Sequence, residues 1–287
     1  MGVEGLTETI ITTYEPDNSL KKGYLAIFGE IFNELKKNRW LTYQLFKRDF
    51  LTIYKQSFIG VLWALIIPLV SVGTFIVLNQ SGVFTIGDIN VPYPIYAILG
   101  MAFWQLFSTG LVVSSNSLVK AGSMIAKINF SKKSLVIAST GQSIVSFLIQ
   151  FVLVGILFIY YQIAPSTATL LIPLLVIPIM LLTLGLGFIL SLLNGIMRDI
   201  GNILGVLMTF LMFLTPVLYA KPTTGILATV TNYNPLYYLV SAQRDLVLMG
   251  TISEWKGFLI ASIISVIIFM VCLVVFHLTE TRVAERI

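Results

Sequence analysis
The sequence predicts an all-α integral membrane protein with six transmembrane helices, and three observations carry that prediction. Of its 287 residues 57% are hydrophobic and only 11% charged, at a mean hydropathy of +0.92, which no ordinary soluble domain shows. Six runs are continuously apolar: Phe58 to Leu78, Pro94 to Val119, Leu135 to Tyr161, Leu170 to Leu193, Ile203 to Tyr219 and Phe258 to Phe276. Each is near the roughly 20 residues that a crossing helix needs, and none alternates as a barrel strand would. Finally, threading the six runs places 15 of the 18 Lys and Arg on one side: Lys21, Lys22, Lys36, Lys37, Arg39, Lys47, Arg48, Lys55, Lys120, Lys127, Lys132, Lys133, Arg198, Arg282 and Arg286. Only Lys221, Arg244 and Lys256 face the other side, so both termini are expected in the cytoplasm. That bias accounts for the net charge of +5, and no nucleic-acid partner is inferred from it.

In chain order, residues 1–23 read as a polar cytoplasmic tail with the turn formers Pro16, Asp17, Asn18 and Ser19. The first twenty residues hold Glu4, Glu8, Glu15 and Asp17 and no apolar core, so the first apolar run is expected to act as the targeting signal. Residues 24–57 read as amphipathic interfacial helices. Leu25, Phe28, Ile31, Phe32 and Leu35 line one face of the first. In the second, Tyr43, Phe46, Phe50, Ile53 and Ser57 oppose Gln44, Arg48 and Lys55, the pattern of a helix lying on a lipid surface. Residues 58–287 then form the six-span domain.

The join of the second amphipathic helix with the first span carries a specific pattern: Arg48-Asp49, Tyr54-Lys55-Gln56-Ser57, Gly60, Trp63-Ala64-Leu65-Ile66 and Pro68-Leu69. This pattern resembles the entry helix and first span of the membrane subunits of ABC exporters that move lipid-linked polysaccharides, namely O-antigen, capsule and teichoic-acid exporters. The similarity extends over about residues 40–287. It implies an entry or gate helix carrying Arg48, Asp49, Tyr54, Lys55 and Gln56.

Between spans one and two, Gly82, Gly87, Asp88, Asn90, Pro92 and Pro94 make an outer turn. Span two holds Phe103, Trp104 and Phe107, then Ser114, Ser115, Asn116 and Ser117 toward the cytoplasm, for which interhelical hydrogen bonding is the expected role. The loop 120–134 has four lysines and an apolar stripe of Met124, Ile125 and Ile128. Charge alone suggests a solvated positive-inside loop; the resemblance implies instead a short helix coupling to the ATPase subunit, through Lys120, Met124, Ile125, Lys127 and Ile128. Gly185 and Gly187 in LGLGF predict close helix packing, since no strand precedes them as a dinucleotide fingerprint requires. Arg198 and Asp199 form a tight cytoplasmic turn, expected to make a local ion pair. Residues 221–254 are too broken to cross, but Asn234-Pro235 can start a helix and Gly250 can end it. The resemblance implies short re-entrant helices here on the outer side, and 277–287 ends the chain as a charged cytoplasmic tail.

Chemistry is chiefly absent. No P-loop, G-x-S-x-G or H-E-x-x-H motif occurs, so the chain is not expected to be an enzyme. Cys272 lies within the last span and is expected to be a buried apolar residue. His277 is the only histidine, with no neighbour in sequence that suggests a metal site. The spans contain no charged residues of the kind that couple a carrier to protons or sodium. Energy is therefore expected from outside the chain.

The resemblance implies a permease subunit of the bacterial inner membrane, acting as a homodimer with two copies of an ABC ATPase that binds ATP and magnesium. The chain itself is expected to hold no cofactor and no metal. The implied cargo is an undecaprenyl-linked polysaccharide, O-antigen first, with capsule or teichoic acid as alternatives. A type-2 exporter of drugs or lipids and a membrane anchor without transport remain as readings from other classes. Because a sugar's C–H face stacks loosely on aromatic rings, Trp63, Phe103, Trp104, Phe107, Tyr219, Tyr237 and Tyr238 are candidates for the substrate path. For each of them, a membrane belt or core packing is the competing role.

Overall fold
A computed structural model describes residues 24–55, 62–82, 86–87, 89–125, 127 and 130–284. Among these residues every regular element is helical, and each of the six apolar runs contains a helical segment. Two amphipathic helices come first, α1 (Tyr24–Lys37) and α2 (Arg39–Lys55). Then follow α3 (Trp63–Gln80), α4 (Tyr93–Ser115), two single turns α5 (Ser117–Lys120) and α6 (Gly122–Ile125), and α7 (Lys132–Tyr160). A 3-10 turn at Thr167–Leu171 leads through α8 (Ile172–Leu175) into α9 (Ile177–Ile196) and α10 (Asp199–Leu214). Finally come α11 (Gly225–Tyr233), α12 (Pro235–Met249) and α13 (Trp255–Ala284).

The segments Tyr93–Ser115, Lys132–Tyr160, Thr167–Ile196 and Trp255–Glu280 are each long and apolar enough to cross a bilayer. Two further apolar helices are shorter, Leu65–Gln80 and Asp199–Leu214. A helix of 16 residues like α10 reaches only about 24 Å, less than a hydrocarbon core of about 30 Å. The chain beyond Leu214 must therefore complete any crossing in a non-helical form.

Helix α4 is the hub, because its small and apolar residues let neighbours approach on several sides. A Cβ on Gly110 would lie 2.7 Å from Thr183 Cγ2 and 2.9 Å from Ser143 Oγ, so α4, α7 and α9 meet there without room for a methyl group. At Gly187 the same addition would lie 2.4 Å from Ser114 Oγ. Two apolar cores result. One gathers Phe103, Trp104, Phe107, Phe147, Ile179 and Leu239, and the other, toward the connection between α4 and α7, gathers Ile31, Leu45, Leu135, Phe188 and Phe276. Helix α2 lies across α7, its Phe46 ring seated on Gly141.

Three local expectations change. The segment 121–133 is not one amphipathic helix: α5 and α6 are single turns, and Lys127 and Phe130 lie outside any helix. Glycine at 122 and the turn at Ala121 interrupt the pattern that an unbroken helix would need. The C-terminal segment is helical through Ala284 instead of ending as a tail at His277. Lys133, expected in a solvated loop, has no exposed surface at all. The tail 1–23 lies outside the described residues, as do Gln56, Asp88 and Ile128.

Candidate functional site
The proposed aromatic path is divided by the structure into separate groups. Phe103, Trp104 and Phe107 are 0–3% exposed and belong to the core, Phe103 lying 5.4 Å from Phe147 and 6.5 Å from Phe151 between ring centres. Trp63 is half exposed at the start of α3. Tyr237 and Tyr238 of α12 lie edge to face at 5.1 Å, Tyr238 packing against the edge of that core. Above them lies Lys221, 5.0 Å from the Tyr237 ring centre and 2.6 Å from Glu254 Oε1. Burial and then the nearby Glu254 carboxylate push the Tyr237 hydroxyl well above the usual tyrosine range, so it stays a neutral donor, 3.4 Å from that carboxylate. Asn234 caps α12 by accepting from Leu236 N at 3.0 Å, and Gly250 ends it in the left-handed conformation at φ 78°. Both ends match the sequence expectation.

Beside this group, residues 215–219 leave α10 as a buried, non-helical strap. Such backbone needs partners for its carbonyls, and side chains supply them. Tyr93 donates to Leu218 O at 2.9 Å, Tyr96 to Tyr219 O at 3.1 Å, and Arg244 Nη1 to Val217 O at 3.2 Å and Pro216 O at 3.4 Å. Asn234 donates to Thr215 Oγ1 at 2.8 Å, and the Tyr219 hydroxyl donates to Phe213 O. The Arg244 guanidinium is 4% exposed and stacks 3.9 Å above the Tyr96 ring. Sequence reasoning placed Arg244 on the outer side but gave it no role.

Around the loop between α4 and α7 the structure joins two features that the sequence keeps apart. Arg48 of the entry helix pairs with Asp49 at 2.7 Å and points Nη1 at Met124 Sδ, 3.4 Å away. Met124 and Ile125 pack half-buried against the second core, while Lys120 and Lys127 are exposed. Tyr54 and Lys55 fall in the last turn of α2. The expected Arg198–Asp199 pair does not form among the described residues; Asp199 instead opens the first turn of α10, where a carboxylate suits the helix dipole.

The loop between α4 and α7 is tied down at both ends. At its start Asn194 donates to Ser115 O and to Asn116 Oδ1, both at 3.1 Å, and accepts from Gly201 N at 3.0 Å. Ser114 and Ser115 donate to carbonyls of their own helix instead of crossing to a neighbour, so only the asparagine of that polar run works between helices. At the loop's far end Lys133 Nζ lies 2.9 Å from Glu34 Oε2 of α1 and pairs with Glu280 Oε1 of α13. His277 Nδ1 is 3.7 Å from Glu280 and 3.9 Å from Glu34.

His277 thus has carboxylate neighbours after all, brought by the fold from distant helices. Glu34, His277 and Glu280 could converge on a metal ion, but the Lys133 ammonium already pairs with both carboxylates. Burial would raise the Glu34 carboxyl; Lys133 outweighs it and holds that group below its ordinary value. Two signals of this cluster were present in the sequence: Glu34 falls beside Ile31 and Leu35 on an apolar face, and His277 precedes Glu280 by one helical turn.

Comparison with known proteins gives a consistent picture. Residues 41–248 match the family described as ABC-2 type transporter. The chain is 24% identical over 262 residues to the O-antigen export system permease protein RfbA of Myxococcus xanthus, covering 90% of this chain and 99% of the relative. Two proteins of the same description from Klebsiella pneumoniae are 25% and 26% identical, each covering 83% of this chain and 91% of the relative.

Proposed function
Because the chain belongs to the ABC-2 type transporter family, we propose that it is the membrane permease of an ATP-driven exporter of O-antigen-type polysaccharide carried on an undecaprenyl-like lipid. The observation that carries this reading is the near end-to-end similarity to O-antigen export permeases, together with the entry pattern at 48–69. ATP and magnesium are bound by a separate ABC ATPase that docks on the cytoplasmic loops. The permease resides in the bacterial inner membrane with six crossings and both termini inside. Helices α11 and α12 form the outer re-entrant segment, with the strap 215–219 completing the fifth crossing.

Two copies of the chain make the path. In support, α3 and α10 lie side by side through the Phe75–Phe213 stack, with ring centres 6.2 Å apart. Gly73 and Gly205 would each leave an added Cβ with nothing within 4 Å. Small residues on an exposed membrane face let a second backbone come close, and Asn202 and Thr209 of α10 are exposed on that same helix, where hydrocarbon alone is a costly neighbour.

Removing the gene should leave lipid-linked polymer inside the cell and none at its surface, with recovery only when both this permease and its ATPase are present. Wild-type surface polymer without the permease would overturn the reading. For the topology, Lys127→Cys and Ser253→Cys, each in a Cys272→Ala background, should react from the cytoplasmic and outer sides respectively. Both positions are exposed, so labelling from one side alone would refute six crossings.

A further inference from the structure
The loop between α4 and α7 stands on two polar feet of different kinds. The first, Asn116 with Asn194, is neutral and joins neighbouring turns. The second is ionic and joins three elements remote in sequence, since Glu34 and Glu280 stand 99 and 147 residues from Lys133. We propose that Lys133 is a positioning residue that clasps α1 and the cytoplasmic end of α13 to the base of this loop, so that all three move as one body when the loop is displaced. Its consequence for transport rests on the exporter reading.

Lys133 is completely buried, and a buried ammonium is tolerated only while carboxylates face it. Departure of α1 would remove one of its two partners and leave the other to hold a fully buried cation. Glu280 is 9% exposed, and among the described residues one of its carboxylate oxygens has no hydrogen-bond partner.

Among the described side chains of α1, two pack on the second core and two aromatic rings stay exposed. Ile31 is buried and Leu35 packs partly against the second core, but Phe28 is 37% and Phe32 68% exposed. The ionic contact joins these apolar contacts in fixing α1. Lys133 sits in the first turn of α7, two residues beyond the loop's last residue, Ser131. A displacement of the loop thus reaches Lys133 through a rigid helical turn, and from there reaches α1 and α13 without crossing a flexible linker.

The test uses the permease–ATPase complex in lipid nanodiscs, with amide hydrogen exchange as the first readout. Glu34→Gln leaves the Lys133–Glu280 pair in place, so the bundle should fold while exchange in α1 quickens roughly tenfold or more and exchange in α9 stays unchanged. Lys133→Met should do the same. Lys133→Glu combined with Glu280→Lys keeps one cation and two carboxylates in the cluster and should restore protection. The second readout is polymer exported per ATP hydrolysed, which should fall several-fold in Glu34→Gln at normal permease abundance and recover in the double variant. Unchanged α1 exchange in Glu34→Gln overturns the clasp, and release of α1 with undiminished export overturns the positioning role. If the wild type exports no polymer, the exporter reading falls while α1 exchange still decides the clasp.

Discussion
Gly185→Val should leave little permease in the membrane, and Gly185→Ala should lower both abundance and thermal stability in detergent. A Cβ at this position would lie 2.8 Å from the Phe269 Cα and 3.0 Å from the Phe269 nitrogen. Both are backbone atoms of α13, so no side-chain rotation can relieve the contact, and the two helices must separate. Overpacking of this kind costs about 1–3 kcal/mol, and more where a β-branched side chain follows the first methyl. Separation also disturbs the Phe188–Phe276 contact one turn away, where ring centres are 4.9 Å apart. Gly155→Val is the control, because it lies on an exposed face of α7 with nothing within 4 Å of the added atom. Quantified membrane fractions should show the control near wild type and Gly185→Val strongly depleted. Equal abundance of the two would mean that α9 and α13 do not meet at this glycine.

The close packing at Gly185 was legible in the sequence, as were the helix starting at Asn234-Pro235, its stop at Gly250 and all six apolar runs. These features are local: a cap, a left-handed glycine or an apolar period needs only neighbouring residues to declare itself. The clusters were not legible for the opposite reason. Lys133 looks like one more lysine in a basic cytoplasmic loop, and only the meeting of α1, α7 and α13 reveals that it is buried. The carbonyls of 215–219 find their donors on α4 and α12, a pairing that no spacing rule anticipates. Composition alone does not sort the aromatic candidates: Phe103, Trp104 and Phe107 lie buried on the hub helix, where a large ring fills core volume as readily as it would line a channel.

The strap at 215–219 carries the other large expected effect. Arg244→Met should abolish most export while the permease remains inserted, because α4 keeps its apolar core packing without the stack on Tyr96, whereas the strap loses its charged donor. The substitution keeps much of the apolar stem but removes the Nη1 donor shared by Val217 O and Pro216 O, and a hydrogen bond from a charged donor contributes about 1.5–3 kcal/mol. A change of that size shifts the strap between held and released arrangements roughly tenfold to a hundredfold. Arg244→Lys should rescue poorly, since an ammonium is a compact charge that cannot reproduce the planar stack on Tyr96 together with a fork of donors. Tyr93→Phe and Tyr96→Phe remove one neutral donor each and should act in the same direction with smaller losses. The order of export per inserted permease is therefore wild type, then either tyrosine variant, then Arg244→Lys, then Arg244→Met. The strap's accessibility, read from labelling of Leu218→Cys in the Cys272→Ala background by a membrane-impermeant maleimide, should rise in the reverse order, since Leu218 is 2% exposed in the held arrangement. Full export by Arg244→Met with Leu218→Cys still protected would show that the tyrosines alone hold the strap and that the buried guanidinium serves only to fill the space above Tyr96.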